Sequence, residues 1–323
     1  MRIWIGGGGT GGHVYPGLAV VEALRARARA GGCSEPEMTY VGSYRGVERE
    51  LATRAGVAFA GVPAGGLHGL GVWRTAMNGF KLLLGWCKAI ALAIRERPAA
   101  VFVTGGYASV PPALAAWTLG VPTMVYLPDI EPGLAVRFIA RFATLVAVTV
   151  ADSVGYFPSN KVKVTGYPVR AELREVDVAS AREALGLAPD VSTVLVLGGS
   201  RGCRSINEAL AGGLGSLLQS AQLVHVTGQA GLTAAEKARR RLPAAARAHY
   251  HVFPYLHEEM GLALASADLA VSRAGASTLG EFPVFGLPAV LVPYPHAWRY
   301  QRVNANWLVE RGAAVLLDDE RLS

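Results

Sequence analysis

Short, uninterrupted apolar runs recur along the first half of the chain, each closed by glycine or another turn former. They are Ile3–Ile5, Met38–Val41, Ala100–Val103, Thr123–Tyr126 and Leu145–Val150. Runs of this kind, without alternation of polar and apolar positions, belong to strands buried on both faces. Longer stretches with helical spacing separate them, so the pattern predicts βαβ units and a parallel sheet covered on both sides. Ile5 is followed by Gly6-Gly7-Gly8-Gly9-Thr10-Gly11-Gly12-His13, and Pro16 is expected in the first turn of a helix that runs to about Ala30.

The same plan starts again at Val194–Leu197, followed by Gly198-Gly199-Ser200-Arg201-Gly202. Leu223–Val226, Tyr250–Phe253, Leu269–Ser272 and Ala289–Val292 are the further strands of this second half. The expectation is an α/β protein of two doubly wound, Rossmann-like domains facing a cleft. The domains span residues 1–160 and 179–323, with a linker at 161–178 that contains Gly166-Tyr167-Pro168. Ligands of such folds bind beyond the carboxyl ends of the strands.

Composition narrows the class. In a chain of 323 residues, 51% hydrophobic and 17% charged, two cores can be filled and general disorder is excluded. Cys33, Cys87 and Cys203 lie too far apart for a metal-ligand pattern or a disulfide framework, as suits a reducing compartment. No signal-peptide pattern is expected at the start. The longest apolar run, Leu82–Ile94, is interrupted by Lys88 and is shorter than the ~20 residues of a bilayer span, so a transmembrane helix is not expected.

Charge is unevenly divided. Residues 1–165 carry sixteen Lys and Arg against nine Asp and Glu, whereas 166–323 carry fifteen of each, so the whole net charge of +7 sits in the first half. An anionic partner on that side is implied. No nucleic-acid motif accompanies the charge, which leaves a membrane surface or a phosphorylated substrate. Arg74, Lys81, Lys88 and Arg95 are spaced by seven among Trp73, Met77, Phe80, Leu82–Leu84 and Trp86. This pattern fits an amphipathic helix at an anionic bilayer, and equally a core helix with a solvated charged face.

Gly7-x-Gly9-x-x-Gly12 fits the dinucleotide fingerprint by spacing, but the second strand ends Tyr40-Val41-Gly42-Ser43 without the ribose-binding acid. A Walker lysine is absent as well. The loop therefore reads either as a place of close ligand approach or as a tight turn. His13, at a helix N-terminus, should be largely neutral and able to accept a proton, or else bonded to the loop backbone. In Ser272-Arg273-Ala274-Gly275-Ala276-Ser277-Thr278-Leu279-Gly280-Glu281, small residues at the start of a helix expose backbone N–H groups to a diphosphate. Glu281, one turn beyond Ser277, would reach ribose hydroxyls or stand solvated. Gly198-Gly199-Ser200 is a second anion-binding candidate, with Arg201 or Arg170 to balance charge. No metal-ligand set is present: Asp-x-Asp is missing, and His249 and His251 have no further ligands.

Taken together, six segments resemble the MurG-type glycosyltransferases, in family order. They are residues 8–20, Gly105–Ser109, Gly166–Arg170, Gly198–Gly202, Ser272–Glu281 and Pro293–Ala297 with Gln301, Asn304 and Ala305. The resemblance implies the GT-B fold and transfer of N-acetylglucosamine from its UDP ester to an undecaprenyl-linked muramyl-pentapeptide, with inversion and no catalytic metal or other cofactor. It implies a peripheral protein on the cytoplasmic face of the cell membrane that serves peptidoglycan synthesis, with an acceptor- and membrane-side first domain and a UDP-sugar-binding second domain. Matched residue by residue, Thr10, Gly11 and Gly12 would lie at the diphosphate and sugar, and His13 would be the base. Arg170 and Ser200 would contact the diphosphate, Leu256 would border the uracil, and Ala276, Ser277, Thr278, Leu279 and Gly280 would bind the diphosphate through backbone. Glu281 would take the ribose hydroxyls and Gln301 the N-acetylglucosamine.

Three departures stand out. Tyr126-Leu127-Pro128-Asp129 replaces the family's His-Glu-Gln-Asn, so Asp129 stands where an asparagine contacts the donor sugar. Tyr300 replaces a His or Gln. The chain stops at Ser323, short of the usual C-terminal helices, as a truncated sequence would. The alternatives are a UDP-sugar 2-epimerase, a transferase to another acceptor, or a non-catalytic sugar-nucleotide-binding protein.

Overall fold

The apolar runs form the strands of two parallel sheets, one in each compact unit, Met1–Arg170 and Ala171–Ser323. The computed structural model describes residues 1–322 except 10, 45, 67–70, 171–172, 174–175, 200–201, 258 and 296–298.

In the first unit the strands are β1 (Arg2–Gly6), β2 (Glu37–Ser43), β3 (Ala58–Val62), β4 (Ala100–Val103), β5 (Thr123–Leu127), β6 (Leu145–Val148) and β7 (Val162–Val164). Their order is β3-β2-β1-β4-β5-β6-β7, and every pairing is parallel. The connecting helices are α1 (Gly11–Ala30), α2 (Glu48–Arg54), α3 (Val72–Glu96), α4 (Val110–Thr118) and α5 (Leu134–Ala140). Side chains alternate across the sheet. Ile3 and Ile5 pack with Val14, Leu18 and Val21 of α1, while Trp4 packs with Val101, Ala113 and Ile139 on the opposite face. This two-sided burial is why the strands read as continuous apolar runs.

The second unit repeats the plan with β8 (Thr193–Leu197), β9 (Gln222–Val226), β10 (Tyr250–Phe253), β11 (Leu269–Ser272), β12 (Ala289–Leu291) and β13 (Ala314–Leu316). The order is β10-β9-β8-β11-β12-β13, again parallel throughout. Its helices are α6 (Val178–Ala184), α7 (Arg204–Leu217), α8 (Leu232–Arg240), α9 (Ala244–Ala248), α10 (Met260–Ser266), α11 (Glu281–Phe285) and α12 (Tyr300–Val309). In each sheet the chain order reverses beside the opening strand, between β1 and β4 and between β8 and β11, the position at which ligands of such folds bind.

Four local features differ from the pattern reading. The first helix begins at Gly11, so Pro16 lies in its second turn rather than its first. Without an N–H, Pro16 cannot bond the Gly12 carbonyl, and one rung of the helix is forfeited at the end nearest the glycine loop. Val162–Val164, expected in the linker, pairs with β6 as an edge strand; three residues are too short a run to read as a strand. Ala276–Leu279 is a single 3-10 turn, and Gly280 breaks it from α11. Ser277 and Glu281 are therefore not on one helix face. Finally, α3 is 25 residues long and, by length and composition, long enough to cross a membrane. The apolar run counted in the sequence underestimated it, because Lys81 and Lys88 interrupt the run without ending the helix.

Candidate active site

The first glycine loop follows β1 and is locked in place by close backbone approach. A Cβ on Gly106 would run into the Gly8 carbonyl oxygen, and Gly106 itself has φ +74, so the loops after β1 and β4 touch only because both residues are glycine. The Tyr40 hydroxyl donates to the Gly7 carbonyl at 3.1 Å. Thr104, fully buried after β4, donates to the Gly6 carbonyl at 3.2 Å and to the His13 carbonyl.

His13, the third residue of α1, is half-buried. Its ring lies against Gly105, where an added Cβ would stand 3.2 Å from His13 Cδ2 and 3.1 Å from Val136 of α5. Burial is the largest influence on the imidazole and pushes its pKa below the ordinary histidine value, while the charges of Asp129 and Glu48 pull the other way. Desolvation thus acts in the same direction as the helix N-terminus, toward the neutral ring.

Asp129, two residues beyond β5, is half-buried. The segment before it is fixed by Thr149, whose hydroxyl donates to the Leu127 and Pro128 carbonyls at 3.0 and 2.9 Å and lies 2.6 Å from the Tyr126 hydroxyl. Burial pushes the Tyr126 phenol well up. Glu131 accepts from the Tyr156 hydroxyl at 3.0 Å. Arg170, at the end of the first unit, sets its guanidinium 5.4 Å from the ring centroid of Tyr15 on α1, one turn of chain away from the glycine loop. Gly11 is buried at the start of α1, beside half-buried Gly12.

In the second unit, Ala276, Thr278, Leu279 and Gly280 are buried and Ser277 is half-buried; the Thr278 hydroxyl donates to the Gly275 carbonyl at 2.7 Å. Glu281 is half-buried at the first position of α11. Gln301 Oε1 accepts from the Tyr294 N–H at 2.8 Å, tying α12 to the loop after β12. Leu256 is buried. Asn304, also buried, donates to the Ala274 carbonyl at 3.2 Å. Thr10 and Ser200, with Arg201, lie outside the described residues.

Two residues that pattern reading did not place in the site prove central to its framework. Arg273 is buried, donates to the Val292 and Pro293 carbonyls at 3.1 and 3.2 Å and to Ser205 Oγ at 3.0 Å, and pairs with Asp319 at 2.6 Å. It clamps the loop after β11 to the loop after β12 and to the start of α7. Its place at the end of an apolar strand was the available signal, since an arginine there needs buried partners. The other is Glu48 of α2, fully buried beneath the first glycine loop. Nothing in Val47-Glu48-Arg49-Glu50 separates it from a solvated helix start.

Residues 3–148 match the glycosyltransferase family 28 N-terminal domain and residues 193–323 the family's C-terminal domain. Curated relatives named UDP-N-acetylglucosamine--N-acetylmuramyl-(pentapeptide) pyrophosphoryl-undecaprenol N-acetylglucosamine transferase are similar over the whole chain. The protein of Roseiflexus sp. (strain RS-1) is 43% identical over 100% of this chain and 84% of its own length. That of Desulforudis audaxviator is 38% identical over 100% and 87%. Among solved structures, Acinetobacter baumannii MurG superposes with TM-score 0.69 at 28% identity, covering 100% of this chain and 87% of that one. A UDP-GlcNAc 2-epimerase from Neisseria meningitidis bound to UDP-GlcNAc gives TM-score 0.68 over 100% and 89%, but at 12% identity it shares the fold alone.

Proposed function

The chain belongs to glycosyltransferase family 28, and from that membership we propose that it transfers N-acetylglucosamine from UDP-N-acetylglucosamine to undecaprenyl-pyrophosphoryl-N-acetylmuramyl-pentapeptide. The relatives that carry this activity in their names match the chain from end to end. The observation that carries the mechanism is His13: a half-buried imidazole, whose burial favours the neutral form, set at the junction of the two glycine loops.

In the transfer, the acceptor hydroxyl attacks the anomeric carbon from the face opposite the diphosphate, so the configuration inverts. The hydroxyl proton passes to the His13 ring as the new carbon–oxygen bond forms. The bond from that carbon to the diphosphate oxygen breaks, and its electron pair leaves with UDP. General-base assistance of this kind contributes ~10²–10⁴ in rate. The backbone N–H groups of Ala276–Gly280 and the Arg170 guanidinium supply positive potential toward the diphosphate. Glu281 accepts from the ribose hydroxyls, Leu256 borders the uracil, and Gln301, held by Tyr294, meets the sugar. Asp129 accepts from the donor sugar's hydroxyls or acts on His13.

The first unit works at an anionic membrane surface, on the cytoplasmic face. Support comes from α3. Val72, Trp73, Met77, Phe80, Leu83 and Leu84 are exposed along it, with Arg74, Lys81 and Lys88 among them. Its opposite face is committed to the protein: Gly85, Ala89 and Ala93 are buried, and Trp86 Nε1 donates to Thr118 on α4 at 3.2 Å. A helix so packed lies on a bilayer rather than through it.

Incubation with labelled UDP-N-acetylglucosamine and the lipid-linked acceptor tests the function. A labelled lipid-linked disaccharide is expected. Epimerised nucleotide sugar as the product, or binding without turnover, would overturn the reading in favour of an epimerase or a sugar-nucleotide-binding protein.

A further inference from the structure

Glu48 occupies the first position of α2 with none of its surface exposed. Its Oε1 accepts from the Ser43 N–H at 2.9 Å, which closes the turn between β2 and α2. Its Oε2 is buried and has no hydrogen-bond partner among the described residues. Three segments leave out a side chain to make room for this one. A Cβ on Gly8 would stand 2.6 Å from Oε1, a Cβ on Gly42 would stand 2.6 Å from Cγ, and one on Gly46 would collide with the carboxyl group.

The turn needs only the oxygen bonded to Ser43, and an amide would serve it equally. Burying a second carboxyl oxygen without a donor is costly. Such a cost, in a group walled in by the glycine loop that carries the base, points to a use for the charge.

We propose that Glu48 is a positioning residue for His13. It supports the first glycine loop from beneath and places negative charge under the loop that carries the ring, so that the ring keeps the proton it takes from the acceptor. The inference rests on the reading of His13 as the base. Two carboxyl groups act on that ring, Asp129 from beyond β5 and Glu48 from α2, and both favour the protonated imidazole. A base that is too weakly basic takes the proton poorly; the two acids oppose the effect of burial, which remains the larger.

Glu48→Gln keeps the volume and the acceptor for Ser43 while removing the charge. NMR titration of His13 in the full chain is expected to move to lower pH in E48Q, as it also should in D129N. The acid limb of the kcat–pH profile should move the same way, kcat should fall about tenfold, and KM for UDP-N-acetylglucosamine should stay within about twofold. E48D, which keeps the charge, should titrate close to wild type. An unchanged His13 titration in E48Q overturns the proposal, as does an equal displacement in E48D, which would trace the effect to packing. E48Q should melt at or above the wild-type temperature; a variant that melts far below it, or fails to fold, shows that the charge supports the fold and also overturns the proposal. If E48Q moves the titration while His13→Ala keeps its turnover, the reading of His13 as base fails and the coupling to Glu48 stands.

Discussion

At His13, burial and neighbouring charge act in opposite directions, and their balance sets how readily the ring exchanges a proton. Replacing it with alanine should lower kcat by ~10²–10⁴ while leaving UDP affinity unchanged, since the role proposed for the imidazole is on the acceptor. Steady-state kinetics with calorimetry checks both halves of that statement. Glu281 should behave in the opposite way. In its proposed role as acceptor of ribose hydroxyls it acts before chemistry, so Glu281→Ala should weaken UDP binding by ~1.5–3 kcal/mol, read by calorimetry. Candidates of this kind stand out in the sequence because they sit in glycine-rich or small-residue loops after strands, where chemistry needs exposed backbone. Glu48 was not legible, because its significance lies in what surrounds it: Gly8, Gly42 and Gly46 converge on it only once β1, β2 and α2 are folded.

Among the elements, the strands read well from the sequence because both faces are buried and the apolar runs are unbroken. Where that condition weakens, the reading weakens too. β7 alternates Val-Lys-Val at an exposed edge, and β13 leaves Val315 exposed. The turn at Ala276–Leu279 looked like the start of a helix because its composition suits one, yet Gly280 breaks it and Pro283 lacks the N–H to bond back across the break. α3 carries the element-scale prediction. Vesicles containing anionic lipid should bind the protein, binding should fade with added salt, and Trp73→Ser with Phe80→Ser should reduce it several-fold without altering UDP affinity. Each basic residue near the surface contributes ~1 kcal/mol, so Lys81→Glu should weaken binding further at low salt. Co-sedimentation decides; equal binding to neutral vesicles would remove the electrostatic part.

At the scale of the whole molecule, each unit holds its own core, and the second carries a buried histidine that couples its stability to pH. His225 Nε2 lies 3.0 Å from Asn207 Oδ1 and its Nδ1 lies 2.8 Å from the Tyr250 hydroxyl. Because Asn207 Nδ2 donates to the Thr227 carbonyl, its Oδ1 faces the ring, and the neutral ring donates from Nε2 and accepts at Nδ1. Burial lowers the pKa of His225 from the usual 6.5 to about 4. The folded state therefore resists a proton that the unfolded chain accepts. Its contribution is intact above the unfolded value and is lost as pH falls through this window, by roughly 3 kcal/mol in total. Calorimetric melting from pH 7 to pH 4.5 should show the decline, and His225→Gln should flatten it.

The strand order of the first sheet also bears on how the chain is made. β1 is synthesised first, but its neighbour β4 pairs Ala100 with Ile3, more than half the unit later in the chain. At ~5–20 residues per second, the central pair of the sheet must wait many seconds for its second strand to leave the ribosome. The residues of α3, Val72–Glu96, emerge within that wait, ahead of β4 and ahead of α4, against which α3 packs. The helix proposed to meet the membrane is thus translated before the sheet that backs it. A bilayer close to the ribosome would have access to that apolar surface before the rest of the protein does.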